Sequence, residues 1–202
     1  MTSFFLLILL IILVILSGFL SGSETAITAT SKARILYKKK KGSKRAGYVL
    51  ELLDKKDNVI STLLLSNNLV NILASSLATA FFYDIFGVEG IFYATLLMTV
   101  VIVIFAEVLP KTYAINKPNR TALLISPVIY YLNKILFVFV FFINLIVRLI
   151  FRKNENDIKN KDLQSEEELK GVIDLYKTSN PDYEQEKDML QSILQLNDIT
   201  VE

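Results

Sequence analysis

The chain lacks both histidine and cysteine, and this lack limits its chemistry. None of its 202 residues is of either type. Without cysteine there is no disulfide or thiolate ligand, and without histidine there is no imidazole ligand or imidazole acid–base catalyst. Any bound metal must therefore sit on oxygen, which favours hard cations such as Mg²⁺, Ca²⁺ or Na⁺. A membrane-bound hydrolase is the least supported class, because no paired-carboxylate motif in a soluble pocket is present, and we expect no enzymatic activity.

Apolar residues make up 52% of the chain, lie in long blocks and give a mean hydropathy of +0.45. This composition is typical of a multi-pass membrane protein with a soluble appendage. The net charge of +2 hides an asymmetry, since residues 32–56 are mostly basic and acidic residues dominate beyond Asn154. We predict an all-α membrane protein with a transmembrane domain over residues 1–153 and a cytosolic acidic helical bundle over residues 154–202.

Three apolar runs are long enough to cross a membrane as helices, at about residues 3–28, 59–83 and 90–112. The first is predicted to be a retained helix, because it is too long for the apolar core of a signal peptide and its positive charges follow it. The basic run after it marks the cytoplasmic side, which places the amino terminus outside. Few aromatic residues interrupt that run, so contact with the lipid bilayer is favoured over nucleic acid. We expect a bacterial or archaeal cell (inner) membrane protein with a cytoplasmic C-terminus.

Residues 120–151 form a fourth apolar segment with basic residues at both ends. Both ends therefore favour the cytoplasm, and polar residues interrupt the apolar pattern near the middle. A re-entrant or juxtamembrane helical hairpin satisfies both observations, provided that protein covers any non-helical backbone. A fourth full crossing is the alternative, and it would place the acidic segment outside.

The segment after Asn154 is predicted to contain two amphipathic helices. Ser165 and Glu168 form a capping box at the start of the first, and Pro181 lies in the first turn of the second. Each helix carries an apolar stripe that needs a partner. The chain stops soon after the second helix, at the start of a new apolar stretch, so we expect a further domain to follow.

A carboxylate at membrane depth is the feature that most strongly suggests an ion site. Glu107 lies near the end of the third apolar run, and a charge there costs roughly 2.5–3.5 kcal/mol on insertion scales unless it is compensated. Pro110 removes a helical hydrogen bond nearby and loosens carbonyl groups. A simple ion pair between Glu107 and Lys111 is the structural alternative.

Oxygen-bearing residues occur at a similar depth in all three predicted spans. Pairs spaced four apart share one helix face, and the three stretches would supply hydroxyl, amide, carboxylate and carbonyl oxygens to a hard cation. Interhelical hydrogen bonding is the alternative role for the amides. The residues are Ser17 and Ser21, Asn67 and Asn71, and Ala106 and Glu107.

Three stretches together resemble the signature motifs of the CorC/CNNM family of magnesium transporters. They run from Ser17 to Ala26, from Leu65 to Ile72 and from Ala106 to Lys111. The resemblance implies a homodimer that exports Mg²⁺ from the cytoplasm with Na⁺ influx as the driving force. It also implies CBS-type domains C-terminal to the residues present in this sequence.

The resemblance also assigns roles to individual residues. A dehydrated Mg²⁺ ion would lie between the three helices, with Glu107 as the charged ligand. Ser21 and Asn71 would bind it through side-chain oxygens, and Ser17 and Ala106 through main-chain carbonyls. The family has Gly where Ala106 stands, a change that keeps the carbonyl. Residues expected to flank these ligands are Asn67, Ser66 and Glu24. The alternative function is a non-transporting membrane metal sensor or scaffold that signals to a missing cytosolic domain.

Overall fold

The computed structural model describes residues 2–136 and 139, and the described part is helical without a β-strand. The predictions for residues 140–202, which include the second half of the hairpin and the acidic bundle, lie outside it. The helices are α1 Thr2–Ala29, α2 Lys32–Lys40, α3 Lys44–Asp54, α4 Lys56–Phe86, a 3₁₀ turn Gly87–Glu89, α5 Gly90–Val101, a π-helix Ile102–Val108, α6 Leu109–Asn116 and α7 Pro118–Ile135.

Two apolar stretches of the described chain are long enough to cross a membrane. They are Phe4–Ala29 and Lys56–Asn116. Within the most apolar 18 residues of each stretch, only 22% and 17%, respectively, are buried. A core helix of a soluble protein would be mostly buried, whereas here large side chains such as Phe4, Ile72 and Phe92 are 65% exposed or more. This surface fits a membrane protein. The three predicted spans fall on α1, on α4 and on the helix from Gly90 to Asn116, and their number of crossings stays a prediction.

The chain reverses between α4 and α5 at a pair of glycines. Gly87 has φ +64°, a left-handed conformation that side chains disfavour. A Cβ at Gly90 would lie 2.2 Å from the carbonyl oxygen of Phe82, so only glycine fits there. The reversal lets α5 pack back along α4 around buried Ala78 and Met98.

Helix α1 lies at the centre, in contact with α4, the π-helix, α6 and α7. Two glycines, one turn apart, permit the closest of these contacts. A Cβ at Gly18 would lie 3.2 Å from the carbonyl oxygen of Phe105, and one at Gly22 would lie 3.3 Å from Pro110. Small residues allow membrane helices to approach at backbone distance, and here they bring α1 against the π-helix.

The basic run forms two helices, α2 and α3, which the charge pattern did not reveal. Helix α3 buries an apolar stripe that includes Val49, whereas α2 buries only Ile35, and the lysines remain mostly exposed. Helix α7 packs against α3 and runs unbroken through Pro127. Pro127 cannot donate to the carbonyl of Leu123, and the Ser126 hydroxyl, 3.3 Å away, donates to that carbonyl instead. The first half of the predicted hairpin is therefore one continuous helix that ends at Ile135.

The π-helix occupies the segment that the sequence singled out. The N–H of Leu109 donates to the carbonyl of Ile104, five residues back, instead of to Phe105. In the same π-helical register, the carbonyl of Phe105 would accept a hydrogen bond from the N–H of residue 110. Residue 110 is a proline, which has no N–H. The carbonyl of Phe105 thus loses both regular helical donors, which leaves an acceptor directed at α1.

Candidate functional site

A buried polar cluster joins α1 to α4 in the membrane part of the fold. The Oγ of Ser17 lies 2.9 Å from the Oδ1 of Asn67 and 2.5 Å from the Oδ1 of Asn71. Ser17 is 1% exposed and Asn67 is 7% exposed, whereas Asn71 is half-buried, so solvent reaches at most part of the cluster. The residues meet because Asn67 and Asn71 are one turn apart and face α1.

Three side-chain oxygens of the cluster meet at one point. A serine hydroxyl has one proton and can donate to only one of the two amide oxygens. The second contact then joins two oxygens, and either a bound cation or a rotated amide, which would turn its Nδ2 towards Ser17, would satisfy it. Ligand oxygens of an octahedral Mg²⁺ with bonds of about 2.1 Å are about 3 Å apart along the edges. The 2.9 Å spacing matches this value, and the 2.5 Å spacing is shorter.

Ser21 lies one turn beyond Ser17 on the same face of α1. Its side chain is fully buried, and its Oγ has no hydrogen-bond partner among the described residues. A hydroxyl left unpaired in a protein interior costs about 1–3 kcal/mol, and in transmembrane helices serine commonly donates to the carbonyl four residues earlier. Ser23 does so, to Phe19 at 2.6 Å, whereas Ser21 does not. The unpaired oxygen of Ser21 is thus available as a ligand.

The third stretch reaches α1 through its backbone. The Cα of Ala106 would be 3.7 Å from a Cβ at Gly18, and Ala106 is fully buried. Pro110 cannot donate to the Ala106 carbonyl, the usual partner of position 110 in an α-helix. Glu107 is adjacent and half-buried. The structure therefore brings Ala106 against α1 and places Glu107 next to that contact.

The carboxylate of Glu107 forms no ion pair or hydrogen bond with the described residues. Ion pairs there join Lys32 to Asp54 and Lys55 to Glu51, so the predicted alternative of a pair with Lys111 is not observed. The same part of the chain contains no cluster of three or more acidic side chains that could bind a metal. An ion site here would combine one carboxylate with neutral oxygens.

The three residues expected to flank the ligands differ in their placement. Asn67 is part of the cluster itself, through its contact with Ser17. Ser66 is buried but donates within its own helix, to the Thr62 carbonyl at 2.7 Å. Glu24 is half-buried, and its side chain has no hydrogen bond within residues 2–136. Only Asn67 therefore contacts a predicted ligand by hydrogen bonding.

A cleft of about 300 Å³ lies between α4 and the helix formed by α5 and the start of the π-helix. On α4, four-residue steps lead from the cluster to the cleft, since Ser75 and Thr79 follow Asn71. Hydroxyl groups are spread over both walls. The lining residues are Ser75, Thr79, Ala94, Thr95, Met98, Thr99, Ile102 and Val103.

Sequence reasoning missed two groups in this region. Pro110 indicates that one backbone N–H donor is missing. It does not indicate the π-helical register, in which the carbonyl left without a donor is that of Phe105, so the sequence did not single out this carbonyl. The hydroxyl cleft was also missed. Its signal was the four-residue spacing that continues from Asn71 through Ser75 to Thr79.

Comparison with known proteins gives a family match over most of the chain. The family described as the cyclin M transmembrane N-terminal domain, CNNM, matches residues 8–186. Among curated proteins, the UPF0053 inner membrane protein YfjD of Escherichia coli K12 is 37% identical over 93% of this chain and 44% of its own length. A UPF0053 protein of Haemophilus influenzae is 34% identical over 98% of this chain and 47% of its own length.

More distant similarity extends to plants. A putative chloroplastic DUF21 domain-containing protein of Arabidopsis thaliana is 29% identical over 92% of this chain and 28% of its own length. The chain spans less than half of the length of each of these three relatives. The match therefore concerns this part of the relatives, which includes the helices that carry the polar cluster.

Proposed function

Because the chain belongs to the CNNM family of transmembrane domains, we propose that it is a magnesium transporter that binds dehydrated Mg²⁺ between α1, α4 and the π-helix. The observation that carries the proposal is the meeting of the side-chain oxygens of Ser17, Asn67 and Asn71 beside the unpaired Ser21 hydroxyl. The Ser21 hydroxyl has no hydrogen-bond partner among the described residues, and a small hard cation would give its oxygen a partner.

The proposed ligands are the side chains of Ser21, Asn71 and Glu107 and carbonyl oxygens from the α1–π-helix contact. Glu107 supplies the single negative charge, which offsets part of the cost of a divalent ion at membrane depth. The contacts of the Ser17 hydroxyl support adding its side-chain oxygen to the carbonyl ligand expected of that residue. Asn67 supports the set by contacting Ser17.

In this proposal three helices cross the membrane, the amino terminus is outside and the basic helices α2 and α3 lie on the cytoplasmic side. The ion enters from the cytoplasm and leaves along the hydroxyl-lined cleft between α4 and α5. Na⁺ influx drives export, and the protein acts as a homodimer. CBS-type domains that follow this part of the chain are proposed as its cytosolic partners.

Replacing Glu107 by Gln tests the proposal. Mg²⁺ efflux from loaded proteoliposomes is expected to fall at least about tenfold, since even groups that support metal ligands cost 10–100-fold when lost. Glu89→Gln is the matched control, because Glu89 is exposed in the 3₁₀ turn away from the cluster.

The outcomes separate transport from sensing. Undiminished efflux in Glu107→Gln contradicts the proposed site. If the wild-type chain binds Mg²⁺ but produces no flux with or without a Na⁺ gradient, the metal sensor or scaffold is the better assignment.

A further inference from the structure

A second cavity, of about 520 Å³, lies between α3, the first turn of α4 and α7. It is separate from the polar cluster of Ser17. Six of its lining residues are polar: Glu51, Lys55, Asn58, Tyr130, Asn133 and Lys134. A cavity of this size with two lysines and two amides is large enough for a phosphate group and the atoms attached to it.

The cavity lies at the outer boundary of the headgroup layer of a bilayer. Asn58 precedes Leu64, the first exposed large apolar residue of α4, by six residues, or about 9 Å of helix. The headgroup layer extends about 5–7 Å beyond the hydrocarbon on each side, so Asn58 lies about 2 Å or more outside it. The long lysine side chains of the wall can span that distance to the lipid phosphates, if α4 crosses the membrane as proposed. Ion transport is not required for this step.

The charges on the cavity wall favour an anion. Lys134 is exposed and has no ion pair within residues 2–136. Lys55 lies 3.6 Å from Glu51, a loose contact between exposed side chains that leaves its ammonium protons available. Two lysines against one glutamate give the wall a net positive charge. An ammonium group is a suitable partner for a phosphate oxygen.

Neutral donors are fixed around the lysines. The Thr62 hydroxyl donates to the Oδ1 of Asn133 at 2.7 Å, which holds that amide in place and leaves its Nδ2 as a donor. The ring of Tyr130 packs against Tyr48 with centroids 5.2 Å apart. The amide and the phenol therefore occupy defined positions on the wall, as expected for a site rather than a mobile charged surface.

We propose that this cavity binds the phosphate of a glycerophospholipid from the cytoplasmic leaflet. Lys134 and Lys55 neutralise the phosphate, and Asn133 donates to it. Glu51 accepts a hydrogen bond from a hydroxyl of the headgroup. Phosphatidylglycerol offers such a hydroxyl and a net negative charge, whereas phosphatidylcholine offers neither. The site consequently prefers phosphatidylglycerol and ties α3 and α7 to the start of α4.

Native mass spectrometry of the full chain in detergent tests the assignment, with phosphatidylglycerol and phosphatidylcholine added in turn. Lys134→Gln is expected to weaken phosphatidylglycerol binding about fivefold, the equivalent of about 1 kcal/mol per lysine at an anionic surface. Lys134→Arg is expected to retain most of the binding. The matched control is Lys39→Gln, since Lys39 is an exposed lysine of α2 outside the cavity.

Three results would overturn the proposal. One is equal binding of the two lipids by the wild-type chain. The second is an equal loss of binding in the Lys39 and Lys134 variants, which would indicate general attraction to the basic surface. The third is displacement of the bound lipid by millimolar inorganic phosphate, which would identify a soluble anion as the ligand.

Discussion

Replacing Ser21 by Ala tests whether its hydroxyl is an ion ligand or a structural group. The two roles predict changes of opposite sign in the stability of the ion-free protein. The Ser21 Oγ is fully buried and unpaired among the described residues. Removing an unsatisfied buried hydroxyl relieves a cost of about 1–3 kcal/mol. We therefore expect Ser21→Ala to be at least as stable as wild type without divalent ions, and about 2 kcal/mol more stable at the centre of that range.

The same change is expected to remove most of the stabilisation by Mg²⁺. At a concentration of 100 times Kd, a ligand that binds only the folded state adds about 2.7 kcal/mol. If the loss of one ligand weakens Mg²⁺ binding about 30-fold, the same concentration is about three times the new Kd and adds only about 0.8 kcal/mol. Thermal unfolding in detergent, with and without Mg²⁺, measures both quantities.

Ser23→Ala is the matched control on the same helix. Ser23 is as buried as Ser21, but its hydroxyl donates to the Phe19 carbonyl at 2.6 Å. This variant is expected to lose a little stability, with the Mg²⁺-dependent gain unchanged. If Ser21→Ala instead destabilises the ion-free protein by 1 kcal/mol or more and keeps the full Mg²⁺ gain, Ser21 is structural and the site is wrong.

Three further predictions concern the fold and the path of the ion. Gly90→Ala is expected to reduce the folded yield severely, because its Cβ would lie 2.2 Å from the Phe82 carbonyl oxygen; size-exclusion chromatography of the solubilised protein measures the folded fraction. Thr62→Val is expected to cost about 0.6–2 kcal/mol in thermal unfolding, since it removes the 2.7 Å hydrogen bond to Asn133 between α4 and α7. Thr99→Val is expected to slow Mg²⁺ efflux from proteoliposomes without changing Mg²⁺ affinity, because it replaces a hydroxyl of the cleft with a methyl group of the same shape.

The family and the all-helical membrane character were predicted correctly from the sequence, because long apolar runs and three ordered motifs carry that information locally. The helices of the basic run were not predicted. There the charges dominate the composition, while the buried stripe is short and includes Ile35 and Val49. Such burial becomes visible only when the packing of α2 on α3, and of α3 on α7, is known.

The candidate site shows a similar division. Residue types and four-residue spacing selected Ser17, Ser21 and Asn71 as candidate residues whose oxygens would bind the ion. The sequence could not indicate that Asn67 contacts Ser17 directly, since that depends on the rotation of α4 about its axis. It also could not indicate the π register, because a proline removes a donor in either register.

In the proposed site, the glycines of α1 and the π-helix would hold the ligands of a divalent ion at fixed distances. Mg²⁺ gives up its water reluctantly and needs ligands at about 2.1 Å, so the helices must be held at a fixed separation. At Gly18 and Gly22 the closest neighbours of α1 include the backbone of Phe105 and Pro110. Backbone atoms cannot move aside by changing rotamer as a long side chain can. The spacing of the helices is therefore set by the main chain, and it would fix the ligand distances before the ion arrives, so that Glu107 has to supply charge but not geometry.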